Sequence, residues 1–328
     1  MKKIKLIILS IAIIFSSCSI KNDKNNVSNN EKKSDVKGKL IIFHAGSLSV
    51  PVKQIIETFN EDYPDVKILT EVAGSRMCAR KITELHKQCD IMISADYKVI
   101  DNLLIPNYAD WNIKFASNEM VIAFTDKSKC SDSITEGNWY KILLKDDVIV
   151  GRSDPDLDPC GYRTVLTFKL AEKYYNQSRL ATKLIEKNSN YIRPKETDLL
   201  SLLESNIIDY LFIYRSVAEQ HKLKYIVLPD SINLKNPLLQ DYYAGVSLKI
   251  SGKTPGDSIV KYGEPMIYGI TIIKNSTNKD LAIKFVDYFL NEQKGMKVLE
   301  SNGQPSLIPS HSNTYNNVPD ELKKYVKP

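Results

Sequence analysis

Short apolar segments that lead through a turn of small residues into an amphipathic segment recur along this chain. Strands are predicted over 39–43, 66–72 and 90–94, and helices over 50–63 and 77–87 follow the first two. Strands that alternate with helices in this way are typical of βα units, which place their strands side by side in a largely parallel sheet. The pattern therefore predicts an α/β fold.

Two longer apolar strands, predicted over 119–125 and 264–273, interrupt this pattern. Between them, further strands are predicted over 148–150 and 210–214, and helices over 139–144, 162–173 and 198–204. Two more helices are predicted after the second long strand, over 279–291 and 293–302. We interpret the two long strands as crossings between two lobes, each of which is a mixed sheet flanked by helices. Lobe one is predicted to hold residues 39–120 and 266–328, and lobe two residues 121–265.

The amino terminus has the parts of a secretory signal, with basic residues 1–5, apolar residues 6–15 and two serines before Cys18. This junction resembles a lipobox, and the resemblance implies that residues 1–17 are a signal peptide and that the thiol of Cys18 is acylated. The apolar segment is too short for the alternative, a membrane anchor of roughly 20 residues. Residues 18–38 are polar and predict a flexible tether behind the lipidated cysteine. We therefore expect a lipid anchor in the cell membrane, with the protein on the extracytoplasmic face.

Charge and cysteine content narrow the class of protein further. The net charge of +6 is spread along the chain without a basic block, so nucleic acid is not an expected partner. Cys78 and Cys89 are predicted to bracket one helix about 16 Å apart, which is too far for a disulfide bond. Together with Cys130 and Cys160, they are expected to be separate small apolar side chains in a monomer.

Four turns at strand ends carry residues that suit an anion. They contain Gly46-Ser47, Gly74-Ser75, Cys160-Gly161-Tyr162 and Tyr214-Arg215-Ser216. The first amides of a helix have no acceptor within it and attract anions, and ligands of open α/β sheets lie at the carboxyl ends of strands. Any one of these turns taken alone is better explained as an ordinary helix cap. Together they predict an anion site in the cleft between the lobes.

The loop before Cys160 conflicts with a simple anion site, because it carries Asp154, Asp156 and Asp158. A carboxylate repels sulfate or phosphate by about 4 kcal/mol for unit charges 4 Å apart at an effective dielectric constant near 20. Capping of the following helix is the alternative role for Asp158. The acidic loop therefore needs an explanation beyond the amides of a helix start.

Six motifs make the chain similar to the molybdate/tungstate-binding lipoproteins of ABC importers, and in particular to their archaeal type. They extend over nearly all of residues 38–310 and read Ala45-Gly-Ser-Leu-Ser49, Ala73-Gly-Ser-Arg76, Asp90 to Tyr97 with Ser-Ala-Asp-Tyr at its end, Asp158-Pro-Cys-Gly-Tyr-Arg163, Arg193-Pro-Lys-Glu196 and Tyr214-Arg-Ser-Val-Ala-Glu-Gln-His221. The resemblance implies a two-lobe periplasmic-binding-protein-like fold of type II, with the ligand in the cleft between the lobes. It also implies that the anion is delivered to an ABC permease and its ATPase.

For the site, the resemblance implies that Asp158 and Glu196 bond the metal centre of a tungstate or molybdate dianion and expand its coordination from four towards six. Hydrogen bonds to the oxo groups are then expected from Ser47, Ser75, the Pro159–Cys160 segment and Tyr214, and Gly46 is expected to contact the anion beside Ser47. No cofactor beyond this ligand is expected, and tungstate is not distinguished from molybdate. The residues alone leave Glu196 equally suited to a helix start, where acids are favoured. Arg163, Arg215 and Asp96 stay open between contact with the anion and structural roles.

An enzyme is the main alternative class, and the sequence offers little for one. His44 beside Gly46-Ser47 leaves a serine–histidine hydrolase open, and Asp158 with Glu196 would suit a metal pair for phosphoester hydrolysis. A histidine that fills the end of a strand is the simpler interpretation of His44. Binding of sulfate, phosphate or, through Tyr214, ferric iron is the other alternative. We expect a binding protein and not an enzyme.

Overall fold

The structure is a computed structural model that describes residues 36–251 and 257–328. The predicted signal peptide, the predicted lipidation site Cys18 and nearly all of the predicted tether fall on residues 1–35, and so lie outside the described residues. Within the two described ranges, no helix has the length and the apolar character that crossing a membrane requires.

The strands of the described residues are, in chain order, β1 (Gly38–Ala45), β2 (Val66–Ala73), β3 (Ile91–Ser94), β4 (Ile113–Ser117), β5 (Met120–Phe124), β6 (Val150–Ser153), β7 (Ile192–Arg193), β8 (Tyr210–Tyr214), β9 (Lys224–Val227), β10 (Ser247–Ser251), β11 (Ser258–Tyr262), β12 (Ile267–Ile272), β13 (Ser310–His311) and β14 (Val326–Lys327). Most are rich in Ile, Val, Phe and Tyr, which fit the pleated surface of a sheet.

The α-helices of the same ranges are α1 (Ser49–Asp62), α2 (Ser75–Thr83), α3 (Tyr97–Leu103), α4 (Trp139–Leu143), α5 (Pro159–Tyr174), α6 (Leu180–Glu186), α7 (Leu200–Glu204), α8 (Arg215–Gln220), α9 (Asp230–Asn233), α10 (Gln240–Ala244), α11 (Lys279–Leu290) and α12 (Gly295–Ser301). Two short 3-10 helices, Gly46–Leu48 and Glu196–Leu199, lie at predicted site residues.

Two five-stranded sheets organise the chain, with strand orders β2-β1-β3-β12-β4 and β7-β6-β8-β5-β9. In the first sheet β1 pairs in parallel with β2 and β3, whereas β12 is antiparallel to its two neighbours. In the second sheet β6 is parallel to β7 and β8, and β5 is antiparallel to β8 and β9. The predicted α/β fold with two mixed sheets is therefore confirmed.

Each sheet is covered on both faces, which explains why its central strands are continuous apolar runs. In the first sheet, Ile42 joins one apolar cluster and its neighbour Phe43 joins the cluster on the opposite face. In the second sheet, Phe212 lies on one face with Trp139, and Ile213 lies on the other. Because successive side chains of a strand alternate, two apolar layers form from one run of sequence.

The chain passes between the two sheets at two short crossings. It leaves the first sheet after Ser117 and enters the second at Met120, and it returns between Tyr262 and Ile267. The two long apolar strands are therefore not themselves crossings, because β5 lies wholly in the second sheet and β12 wholly in the first. We keep the names lobe one and lobe two for these sheets with their helices. The predicted lobe boundaries at 120/121 and 265/266 stay a prediction.

Two predicted segments differ from the structure for identifiable reasons. The predicted strand over 148–150 is shifted, because β6 continues to Ser153 and α5 begins at Pro159 rather than at Tyr162. The predicted helix over 77–87 is too long, because α2 ends at Thr83 and His86 adopts a φ of 48° that breaks a helix.

Because α2 ends early, it does not hold Cys78 and Cys89 at its two ends as predicted. Cys89 lies outside α2, and it is buried in the same apolar cluster as Cys78. Both thiols are free, as are those of Cys130 and Cys160. The expectation of four unbridged cysteines is met. The prediction that a single helix separates Cys78 from Cys89 is wrong.

Candidate functional site

Lobe one places three chain turns along one edge of its sheet. The parallel strands β1, β2 and β3 end at Ala45, Ala73 and Ser94, and each leads into a helix start. The turns are also linked directly, because the Ser75 hydroxyl oxygen accepts a hydrogen bond of 3.0 Å from the Ala95 amide. The predicted residues Gly46, Ser47 and Ser75 therefore lie on the edge where ligands of such sheets bind.

The lobe-one turns are open on the side away from the sheet. Gly46, Ser47 and Gly74 are exposed, and a Cβ atom added at either glycine would meet nothing within 4 Å. Ser47 is held from behind, since its carbonyl accepts a 3.4 Å hydrogen bond from the side chain of Gln304. These turns can therefore receive a ligand without moving their own backbone.

Lobe two presents the start of α5, and Asp158 is its N-cap residue. Its Oδ1 atom accepts a 3.1 Å hydrogen bond from the Cys160 amide, and its Oδ2 atom accepts one of 2.8 Å from the Glu196 amide. The capping role that the sequence left open for Asp158 is thus observed. Each carboxylate oxygen keeps a second lone pair, so capping and metal bonding are compatible.

The helix-start amides of α5 are less available than the sequence suggests. Pro159 has no N–H group, the Cys160 amide donates to the Asp158 side chain, and the Gly161 and Tyr162 amides approach the Asp158 carbonyl at 3.0 and 3.3 Å. Donation from the Pro159–Cys160 segment to an oxo group would therefore compete with this cap. It stays a prediction.

Glu196 is brought to Asp158 by strand pairing. Strand β7 pairs in parallel with β6, with Arg193 opposite Ser153, and the Arg193 carbonyl accepts a 2.8 Å hydrogen bond from the Asp154 amide. Burial, followed by the hydrogen bond between its carboxyl group and Asp158, raises the pKa of Glu196 to about 8. At neutral pH the carboxyl group of Glu196 therefore holds its proton.

Tyr214 is the last residue of β8, and its hydroxyl group is hydrogen-bonded to a positively charged side chain. The Arg163 Nη1 atom donates a 2.7 Å hydrogen bond to the Tyr214 hydroxyl oxygen, and both side chains are half-buried. Burial raises the pKa of Tyr214 well above its usual value, so the phenol stays neutral. Within the described ranges the Nε atom of Arg163 has no hydrogen-bond partner. Arg163, left open by the sequence, therefore contacts a predicted site residue.

Arg215 and Asp96, whose roles the sequence left undecided, have structural partners. Arg215 donates to the fully buried carboxylate of Glu119 at 2.9 Å. Asp96 caps α3 by accepting from the Lys98 amide, and Lys98 in turn pairs with Glu264 at 2.5 Å. Burial raises the pKa of Asp96, and the positive charge of Arg163 is among the effects that lower it. Arg163 of lobe two therefore lies within electrostatic range of the lobe-one edge.

Sequence reasoning missed Asn118 at the first crossing and Tyr268 near the start of β12. Asn118 is buried at that crossing, and its side-chain amide donates to the Tyr268 hydroxyl at 2.9 Å. Burial raises the pKa of Tyr268, and the hydrogen bond with Asn118 is the largest of the effects that act against this rise. The one available signal was the polar pair Asn118-Glu119 in front of an apolar strand.

His44 has the simpler of its two predicted roles. It is buried in β1, with Nδ1 2.9 Å from the Ala45 carbonyl oxygen, and burial lowers its pKa. A neutral side chain with one ring nitrogen at the carbonyl of the next residue is the pattern expected of a histidine that fills a strand end.

The chain is similar to solute-binding proteins in sequence and in fold. Residues 40–304 match the family described as bacterial extracellular solute-binding protein. An uncharacterized solute-binding protein of Petrotoga mobilis is 47% identical over 294 residues, which cover 89% of this chain and 91% of the relative. The molybdate/tungstate-binding protein WtpA of Thermococcus kodakarensis is 41% identical over 360 aligned positions, which cover 100% of this chain and 98% of the relative.

Among solved structures, the substrate-binding domain of a proposed molybdenum ABC transporter from Clostridium difficile shares the fold. The TM-score is 0.61 at 20% identity, over 82% of this chain and 99% of that one. The family resemblance predicted from the six motifs is thereby confirmed. The chain belongs to the family of bacterial extracellular solute-binding proteins.

Proposed function

We propose that the protein binds a tungstate or molybdate dianion between its two lobes and delivers it to an ABC permease driven by an ATPase. The pairing of Asp158 with Glu196 beside Tyr214 and Arg163 carries the proposal. The Thermococcus kodakarensis relative, whose name states the same ligands, supports it. A carboxylate pair would repel sulfate but can bond a metal centre that has empty d orbitals.

In this proposal the two sides of the cleft have different tasks. Asp158 and Glu196 bond the metal centre and take its coordination from four towards six. The hydroxyls of Ser47, Ser75 and Tyr214, with the Gly46 turn and the Pro159–Cys160 segment, donate to the oxo groups, and hydroxyl donors add no charge of their own. Arg163 offsets part of the negative charge that the two acids and the dianion bring together.

Binding closes the lobes over the anion by a hinge at the two crossings, Asn118–Glu119 and the segment between Tyr262 and Ile267. Since the anion contacts both lobes, it binds the closed state better and stabilises it by that difference. We place the protein on the extracytoplasmic face of the cell membrane, held by lipid on Cys18. It acts as a monomeric carrier and not as an enzyme.

Thermal unfolding with a panel of ligands tests the proposal. Tungstate and molybdate at 100 times their dissociation constant should stabilise the folded protein by about 2.7 kcal/mol, whereas sulfate and phosphate at equal concentration should not shift the Tm. A shift with sulfate would refute the role of the acids. If no oxoanion shifts the Tm, ferric iron becomes the favoured ligand. Its bonding to Tyr214 would give an absorbance band in the visible range.

A further inference from the structure

Helix α12 of lobe one ends in a turn whose backbone is fixed by two hydrogen bonds. The Gly303 amide donates to the Glu300 carbonyl and the Gln304 amide donates to the Leu299 carbonyl, each at 3.0 Å. This pair of bonds defines a Schellman motif, in which the first residue beyond the helix cap is left-handed. Gly303 has such a conformation, with a φ of 73°. The motif alone therefore explains a glycine at this position without any role in binding.

Gly303 also approaches the other lobe closely, which the motif does not require. A Cβ atom on it would lie 2.9 Å from the carbonyl oxygen and 3.0 Å from the carbonyl carbon of Arg215, in α8 of lobe two. The Cγ atom of Glu219 would be 2.8 Å away. The Glu219 side chain is flexible and could move aside, whereas the Arg215 backbone could not move without α8. The two lobes therefore leave no room for a side chain at this contact.

The start of α8 is fixed in its turn to the first crossing. The Arg215 amide donates to the Glu119 carbonyl at 2.9 Å, and the Asn118 side chain donates to the Ser216 hydroxyl at 2.8 Å. Arg215 directly follows Tyr214, which is one of the predicted anion contacts. A displacement of Arg215 would therefore displace Tyr214 as well.

The residues after Gly303 connect the same turn to lobe one. The Gln304 side chain is fully buried, and its Nε2 atom donates to the Ser47 carbonyl at 3.4 Å. The Pro305 carbonyl accepts a 2.9 Å hydrogen bond from the amide of Ser117, the last residue of β4. The turn therefore contacts the Ser47 loop of lobe one and, through Gly303, the start of α8 in lobe two.

We propose that the turn at Gly303 and Gln304 is a positioning element that sets how closely Ser47 and Tyr214 approach each other across the cleft, and thereby sets the affinity for the oxoanion. A side chain at position 303 pushes α8 away from lobe one, so an anion that contacts both lobes loses part of its contacts with one of them. Loss of the Gln304 hydrogen bond leaves the Ser47 loop less firmly held. The inference rests on the proposed oxoanion function.

The first test separates the backbone conformation of Gly303 from its close approach to Arg215. Asparagine is accepted at the left-handed position of a Schellman motif. This chain shows it after α7, where Asn206 has a φ of 59° and its amide donates to the Leu203 carbonyl at 3.0 Å. Gly303→Asn therefore satisfies the turn but adds a Cβ atom against α8. It should raise the dissociation constant for tungstate about tenfold or more, mainly through faster dissociation.

Asn206→Gly is the matched control, because it makes the reverse exchange at an exposed turn within lobe two. It should lose some stability and no affinity for tungstate. Calorimetric titration measures the affinities, and urea unfolding measures the stabilities. Equal losses of affinity in Gly303→Asn and Asn206→Gly would show that the contact with α8 has no special role, and would overturn the inference.

The second test removes the hydrogen bond from Gln304 to the Ser47 loop. Gln304→Met keeps the length of the side chain but cannot donate. Among the described residues the Oε1 atom of Gln304 has no hydrogen-bond partner, so this variant also removes an unpaired buried polar atom and should keep a stability close to that of wild type. The dissociation constant for tungstate should nevertheless rise about fivefold. A merely structural role for Gln304 predicts a change in stability with unchanged affinity.

The outcomes separate this inference from the proposed function. If wild type binds tungstate and either Gly303→Asn or Gln304→Met binds it equally well, this inference alone is overturned. If wild type does not bind tungstate, the proposed function and this inference fall together. If Gly303→Asn does not fold, Gln304→Met still decides the matter.

Discussion

The Oδ2 atom of Asp158 accepts a 2.8 Å hydrogen bond from the backbone amide of Glu196, 38 residues further along the chain. The two acids are thus joined through the backbone as well as through their side chains. The pairing of β6 with β7 sets this contact, because it aligns the segments that precede each acid. The carboxylate pair therefore lies just beyond the paired ends of β6 and β7.

Removing either acid at a pH above 8, where Glu196 is ionised, should convert the specificity of the site. Asp158→Asn keeps a side chain that can cap α5, and Glu196→Gln keeps the size of the side chain. We expect each to weaken tungstate binding about 100-fold or more and to allow sulfate to bind, since a repelling charge is lost. Calorimetric titration of both anions measures this.

Asp156→Asn is the control for these variants. Asp156 lies in the same loop, but it is exposed and accepts a 2.6 Å hydrogen bond from the Ser251 amide. It should leave both affinities unchanged. Wild-type tungstate affinity in both Asp158→Asn and Glu196→Gln would contradict bonding of the acids to the metal centre.

Tungstate binding should release a proton below pH 8. Because the pKa of Glu196 is raised to about 8, its carboxyl group is protonated at neutral pH and must ionise to bond the metal. Affinity should therefore fall up to tenfold for each pH unit below 8 and level off above it. Calorimetry in buffers with different enthalpies of ionisation counts the proton directly. Affinity that is flat below pH 8 and falls above it would show that Glu196 stays protonated and donates to an oxo group.

The same group makes stability without ligand depend on pH. The pKa of Glu196 is raised above its ordinary value of 4.5, so the folded protein holds the proton more tightly than the unfolded chain. The Glu196 contribution to the free energy of unfolding should therefore decrease as pH rises from 4.5 to 8, and then stay constant. Urea unfolding of wild type and Glu196→Gln across this range isolates the contribution, which should be missing from the variant.

Arg163 should act on the ligand through Tyr214. Arg163→Met removes the donor to the Tyr214 hydroxyl, and we expect tungstate affinity to drop between about tenfold and 100-fold. Tyr214→Phe should cause part of the same loss of tungstate affinity. The double variant should therefore bind tungstate more tightly than the sum of the two single losses in binding free energy predicts. Arg80→Met, which removes an exposed pair with Glu84, is the control. Strict additivity would contradict a shared role.

Gly161 is required by close packing at the start of α5. A Cβ atom there would lie 2.5 Å from the carbonyl carbon and oxygen of Asp154, and 2.6 Å from the Ser153 oxygen. Gly161→Ala should therefore lower the free energy of unfolding by about 1–3 kcal/mol and weaken tungstate binding by displacing Asp158. Gly137→Ala, exposed and with nothing within 4 Å, should stay within about 0.5 kcal/mol of wild type. Denaturant unfolding of both variants decides between these outcomes.

The sequence predicted the elements whose apolar patterns are strong. Strand β8 spans the predicted residues 210–214, because five successive large apolar or aromatic residues are typical of a strand buried on both faces. Element ends were less predictable, as at α2, where the positive φ of His86 has no sequence signature. The Asp158–Glu196 contact was reachable only through the family motifs, since 38 residues separate the pair.

Asn118 and Tyr268 were beyond the sequence for a different reason. Asn118 is one polar residue between two strands, and Tyr268 falls inside an apolar run, so periodicity assigns both to structure. The hydrogen bond between them joins residues that are 150 positions apart, so it becomes visible only when the topology is known.

Calorimetric titration of the full chain with tungstate, molybdate and sulfate, one after the other, tests the central claim most directly. The account predicts tight binding of the first two with one anion per chain, and no heat with sulfate. Binding of sulfate with an affinity similar to that of tungstate would contradict a site built around the carboxylates of Asp158 and Glu196.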